Sequence, residues 1–320
     1  MRVYIITILA SFIFAAGVCL SEEPEQENDG SEKITWYSFE WLPSESHLQN
    51  PRAIMRFDPV IEGLSGFKGF QLCLDVADSY IYESAFENIL WRKPELEKKI
   101  LRLHSAGRTQ TRVFEEAEVS INDELIGYND FQVIDSRNEP EDINLSGFFG
   151  YKFFQSIEKI LIIDHRGSRF ALLDELPEAW ESEAHLVRMR FSPSFLGLRL
   201  RTNGRRISLS FDGEPNPALV LYRNRDFRRI ASDKSVQDSL RYYYPPKNLH
   251  LMLGGKEPEQ DLYFGPYKLK SHNVYHMPKR DYRLGNDQGL ITQSFFEDYV
   301  LIVDYKNERF GIVPPAVVVE

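Results

Sequence analysis

Cysteine is nearly absent from this chain: 320 residues hold two, Cys19 and Cys73. If Cys19 leaves with an N-terminal leader, Cys73 stands alone, so no internal disulfide can form and the fold must hold by packing even in an oxidising compartment. Other chemistry is excluded by missing motifs. There is no Gly-x-Ser-x-Gly elbow, no phosphate-binding loop and no paired-cysteine motif. His272 and His276 have an i, i+4 spacing, but Val274 and Tyr275 between them alternate as in a strand, and no Glu follows the first His. Zinc-protease chemistry is therefore not expected, and neither a metal nor a cofactor is assigned. Basic charge is not in excess, the net charge being −10, so a nucleic-acid partner is not expected. Two arginine groups (Arg199, Arg201, Arg205, Arg206 and Arg223, Arg225, Arg228, Arg229) read as exposed strand faces.

Long apolar runs are missing too, apart from Tyr4–Val18. That run follows Arg2, is short for a membrane span and leads into the small residues Cys19 and Ser21, the pattern of a secretory signal peptide over 1–21. Cleavage after Ser21 leaves an exported, periplasmic or extracellular protein with no stable membrane span. An uncleaved anchor and lipidation at Cys19 are the alternatives, and Val18 is bulky for the second. Residues 22–50 form an acidic tail and lead-in strand, with eight acids and one lysine between Glu22 and Glu45.

Beyond the tail, 42% hydrophobic residues suffice for real cores. Strands are expected around Ile54–Phe57, over Phe70–Leu74 and in a hairpin turning at Asn122-Asp123. Asn203-Gly204 marks a second hairpin. A helix is expected over 88–104, divided by Pro94, a connector over 174–186, and partial helix over 223–241. Tyr242-Tyr243-Tyr244-Pro245-Pro246 reads as an aromatic turn packed on the body.

Two strands end at an acid: Phe70-Gln71-Leu72-Cys73-Leu74-Asp75 and Ile207-Ser208-Leu209-Ser210-Phe211-Asp212. An unpaired buried carboxylate is costly, so each acid needs a partner or a task. The two halves repeat. Ile162-Ile163-Asp164-His165 with Arg169-Phe170 matches Ile302-Val303-Asp304-Tyr305 with Arg309-Phe310, and Phe153-Phe154 matches Phe295-Phe296. Asp164 and Asp304 read as turn acids.

On these residues the chain resembles the pepsin and retropepsin group of aspartic proteases. The similarity is most specific at Gly147-Phe148-Phe149-Gly150 and at Gly289-Leu290-Ile291 with Val303-Asp304-Tyr305. The resemblance implies an all-β fold with two homologous β-barrel-like lobes, at 51–178 and 185–320, a few short helices and a cleft between the lobes. It also implies a shared-proton dyad of Asp75 and Asp212. Where that family has Asp-Thr-Gly, this chain has Asp75-Val76-Ala77 and Asp212-Gly213-Glu214. Val76 and Gly213 lack the hydroxyl, and Glu214 adds a third negative charge beside the pair. The expected function is an exported aspartic-protease-like protein with chemistry weakened or lost, binding peptide or protein in the cleft. The alternatives are an active endopeptidase using Asp75 and Asp212, and a structural module of the cell envelope. Oligomeric state is left open.

Overall fold

The computed structural model describes residues 34–43, 54–74, 76–103, 111–135, 145–192, 195–202, 205–212, 219–231, 238–244, 249–277 and 288–318. The expectations for 1–33, including the signal peptide and Cys19, lie outside them. So do Asp75, Gly213, Glu214, the Asn203-Gly204 turn and Pro245-Pro246.

In the first half the strands are β1 (Trp36–Ser38), β2 (Glu40–Leu42), β3 (Ile54–Phe57), β4 (Val60–Ile61), β5 (Phe70–Leu72), β6 (Ser79–Tyr82), β7 (Ile100–Leu103), β8 (Thr111–Ile121), β9 (Glu124–Ile134), β10 (Gly147–Phe149), β11 (Ile160–Asp164) and β12 (Arg169–Leu173). The second half supplies β13 (His185–Arg188), β14 (Arg190–Ser192), β15 (Phe195–Thr202), β16 (Arg205–Asp212), β17 (Leu219–Leu221), β18 (Asp238–Tyr244) and β19 (Leu249–Lys256). It closes with β20 (Tyr263–Phe264), β21 (Tyr267–Lys268), β22 (Val274–His276), β23 (Gly289–Thr292), β24 (Val300–Asp304) and β25 (Arg309–Val313). Short helices α1 (Glu83–Arg92), α2 (Tyr151–Ser156), α3 (Glu178–Glu183) and α4 (Asn224–Ile230) sit between strands.

The fold is mostly β, in three sheets. One sheet of nine strands comes from the first half, one of ten from the second, and a sheet of six, in the order β1-β12-β11-β24-β25-β13, is built from both. None closes into a barrel, which corrects the barrel-like expectation. The physical reason is that each half lends its last strands to the shared sheet instead of curling them back on itself.

The shared sheet follows from composition. Ile160-Leu161-Ile162-Ile163 and Val300-Leu301-Ile302-Val303 are apolar at every position, so both faces must be covered. Ile160, Ile162, Val300 and Ile302 pack in one core with Trp180, while Leu161, Ile163, Leu301 and Val303 pack in the main core. Each such side chain contributes about 1.5–3 kcal/mol on burial. β11 and β24 run antiparallel with Ile162 opposite Ile302, Ile160 opposite Asp304 and Asp164 opposite Val300. A local twofold therefore passes between Ile162 and Ile302, and the repeat in the sequence becomes a symmetry of the sheet.

The turns that follow are also twins. Asp164 Oδ1 accepts from the Gly167 amide and Asp304 Oδ1 from the Asn307 amide, both at 2.9 Å, while Arg169 and Arg309 close on the second carboxylate oxygens. Ser168 and Glu308 take the left-handed backbone at φ 50° and 53°. Both acids are turn acids, as the sequence implies.

The hairpin at Asn122-Asp123 forms with both residues at positive φ, joining Ile121 to Glu124. At this end Tyr37 Oη donates to Glu124, and burial followed by that carboxylate pushes the phenol up to about 12. The helix expected over 88–104 is corrected. α1 starts five residues earlier, Pro94 opens a 3-10 turn, and Ile100–Leu103 pairs with β8. Ladder partners outweigh helical spacing there. The 174–186 connector likewise contains α3 and the start of β13.

Candidate functional site

The site is built on a threaded strand. β5 and β6 are consecutive in the chain, yet they do not pair with each other: β10 lies between them, parallel to β5 and antiparallel to β6. The segment from Cys73 to Asp78 must therefore loop over the end of β10. Second-half strands repeat this, with β23 between β16 and β17 in the same senses.

Hydrogen bonds pin the first loop from below. The Cys73 amide donates to the Phe149 carbonyl at 3.0 Å, Tyr151 N to Val76 O at 2.7 Å, Lys152 N to Ala77 O at 3.1 Å, and Gly150 N to Ser79 Oγ at 3.0 Å. Gly150 is required by this closeness, since a Cβ there would collide with the carbonyls of Ala77 and Asp78. A contact from the other half completes the support. Tyr305 Oη, fully buried just after β24, donates to the Leu74 carbonyl at 3.1 Å. Its ring stacks on Tyr151 at 5.8 Å and on Phe154 at 6.1 Å. Burial pushes the Tyr151 phenol up, against the opposing effect of Lys152.

Asp75 itself lies outside the described residues, but it follows Leu74 directly, so the loop that bears it is held by Tyr305. The loop's other acid, Asp78, accepts from Lys152 Nζ at 2.6 Å and Gln132 Nε2 at 3.1 Å. The hydrogen bond to Asp78 raises the Lys152 pKa, and this carboxylate has a structural task.

Across the local twofold, the residue matching Tyr305 is His165. It is buried, stacks on Trp41 at 5.8 Å and has Nε2 3.3 Å from Gln293 Oε1. Gln293 directly follows β23, as Tyr151 follows β10 after Gly150. Each half thus reaches over to the other at the same place, with an aromatic pair on one side and an imidazole–amide pair on the other.

The registers locate the two acids. Leu72 pairs with Phe149 and Phe211 with Ile291, and Gly147 and Gly289 occupy the same place against β6 and β17. Leu72 therefore matches Phe211, and Asp212, still paired with Thr292, matches Cys73. Three residues past Leu72 comes Asp75; three past Phe211 comes Glu214. The expected equivalence of Asp75 with Asp212 does not follow the ladders, because Asp75 lies three residues past Leu72 whereas Asp212 lies one past Phe211; the second connection (212–218) is also one residue longer than the first (73–78). Of the side chains of Asp212 and Glu214 the structure gives no description.

His272 and His276, set aside for metal binding, have separate surroundings. His272 Nε2 bonds the Ser294 carbonyl at 3.1 Å, and His276 packs on Phe227. Burial depresses both imidazoles. Among the described residues no group of three or more His, Cys, Asp or Glu is arranged to hold a metal, and no helix is long and apolar enough to cross a membrane. Sequence reasoning missed Tyr305, Tyr151, His165 and Gln293. The signal was present in that Tyr305 and His165 each follow the matched turn acid.

No family model matches this chain, and no curated protein matches it.

Proposed function

We propose that this chain is an exported protein of aspartic-protease type whose chemistry is weakened or lost and which binds unstructured peptide or protein between its two halves. One observation carries the reading: the twice-repeated threaded loop, arranged about a local twofold in a shared sheet. On that plan two acid-bearing connections, after β5 and after β16, would occupy equivalent positions. Chemistry argues for the weakening. A shared-proton pair needs two carboxylates in tight register, while here the second connection is a residue longer. Val76 has no hydroxyl to bind across the halves, and a displacement of about 1 Å can cost roughly a hundredfold in rate.

The test is incubation of mature protein with unstructured peptides between about pH 3 and 7, where a shared-proton pair works, alongside a binding titration. Saturable binding without efficient cleavage is expected. N-terminal sequencing of the exported material should begin near Glu22. The second reading is an active acid endopeptidase, and the register favours Glu214 over Asp212 as the partner of Asp75 in it. Pepstatin-sensitive hydrolysis abolished by Asp75→Asn, and by either Glu214→Gln or Asp212→Asn, would establish that reading instead.

A further inference from the structure

Helix α4 carries a concentration of positive charge that the rest of the fold does not use. Arg223 precedes the helix, and Arg225, Arg228 and Arg229 lie within it, all four exposed. In the sequence these arginines read as an exposed strand face within a stretch expected to be partly helical; the helix puts Arg225, Arg228 and Arg229 at i, i+3 and i+4, on one side. Ile230 is buried, Phe227 packs on the His276 ring, and Asp226, the helix's one acid, accepts from Gln288 Nε2 at 3.2 Å.

Several exposed cations elsewhere are paired, as in Arg166 with Asp298 at 2.7 Å, Arg188 with Glu308 at 3.0 Å and Lys306 with Glu158 at 2.8 Å. Among the described residues, Arg223, Arg225, Arg228 and Arg229 have no ion pair and no side-chain hydrogen bond. Like charges at i, i+3 and i+4 repel by about 0.2–0.5 kcal/mol a pair. Arg223 and Arg225 also stand at the end of the helix where a cation is disfavoured. Arg228 extends this field to His276, whose pKa it lowers in addition to the effect of burial.

We propose that this face of α4 binds an acidic peptide segment in extended conformation, its carboxylates taken by the guanidinium forks of Arg225, Arg228 and Arg229. Three features select that partner. The cluster is all arginine, and the planar fork grips a carboxylate through two parallel hydrogen bonds where lysine offers a point charge. Side chains at i, i+3 and i+4 stand about 5–6 Å apart, close to the roughly 6.6 Å between same-side residues of an extended chain. Finally, the protein carries −10 overall. A long polyanion or an anionic membrane would meet repulsion outside the patch, whereas a short acidic segment lies within the screening length of about 8 Å. The site is made of residues on α4, and the proposed function rests on the connections after β5 and β16, so this inference and the proposed function fail separately.

The experiment titrates a labelled short oligoglutamate peptide against the full chain by fluorescence anisotropy at low and physiological salt. Polyphosphate and phosphatidylglycerol vesicles are the competing probes. Saturable peptide binding that weakens with salt, and falls about tenfold or more in R225Q/R228Q/R229Q, is expected, since loss of close charge pairs acts on affinity at this scale. A variant at Arg199 and Arg201 should bind as the parent does. Should the triple variant not fold, phenylglyoxal labelling of the unmutated protein gives the second measurement, with bound peptide shielding Arg225, Arg228 and Arg229. No binding, binding equal in the folded triple variant, absence of shielding, or preference for vesicles or polyphosphate over peptide would each overturn the proposal.

Discussion

One hydroxyl, on Tyr305, holds a carbonyl that belongs to the opposite half of the chain. Leu74 O is buried, and removing its donor leaves it unsatisfied, at a cost of about 1–3 kcal/mol. Tyr305→Phe keeps the stacking on Tyr151 and should lower stability by about that amount in urea unfolding. Labelling of Cys73, which is buried beside the same loop, should speed up in the folded variant. An unchanged labelling rate would show that the loop does not depend on Tyr305. Gly150→Ala should be the more damaging change, because the clash is with two backbone carbonyls that have little room to move.

Among elements, the two strand–turn–strand units that close the halves carry matching devices of different depth. Asp304 is completely buried and holds the Asn307 amide, Asn307 Nδ2 and Arg309, while Asp164 keeps a little exposure and holds the Gly167 amide and Arg169. Taking one partner out of a buried charge network is expensive, and Arg309 is a third exposed, which moderates the cost. Asp304→Ala should therefore cost about 2–3 kcal/mol, and more than Asp164→Ala. Equal losses in chemical denaturation would contradict the burial argument. α1 shows the opposite case, an element limited by its neighbours. Its pattern could run on past Pro94, but Ile100–Leu103 finds hydrogen-bonding partners in β8 and leaves the helix.

At the scale of the molecule, the described chain from Ile34 onward forms one compact unit, and the shared sheet explains why. Either half alone would expose β11 or β24, strands buried at all five positions. Fragments 34–178 and 185–320 should fail to fold apart and should recover strand signal by circular dichroism when mixed. Acid should also weaken the whole. Burial depresses His185, His272 and His276 below the ordinary imidazole value of 6.5. An unfolded chain then binds protons more readily than the folded one, so stability is full above about pH 6.5 and is lost as pH falls toward the folded values. The melting temperature should drop between about pH 7.5 and 5, and replacing His272, the most enclosed of the three, should flatten that slope.

The sequence by itself determined the features that depend on near neighbours. It specified the mostly β character, the hairpin at Asn122-Asp123, the turn roles of Asp164 and Asp304 and the repetition of the two halves. Each follows from alternation, turn chemistry or a short motif, all acting within a few residues. Tertiary structure alone decided that the last strands of both halves merge into one sheet, that Tyr305 supports the loop leading to Asp75, and that Asp212 matches Cys73. Leu74 and Tyr305 are 231 positions apart, and nothing local couples them. Acid-ended strands can be matched by eye with a slip of two residues, and such a slip keeps every side chain on its face, so only the observed ladders, with Leu72 opposite Phe149 and Phe211 opposite Ile291, fix the match.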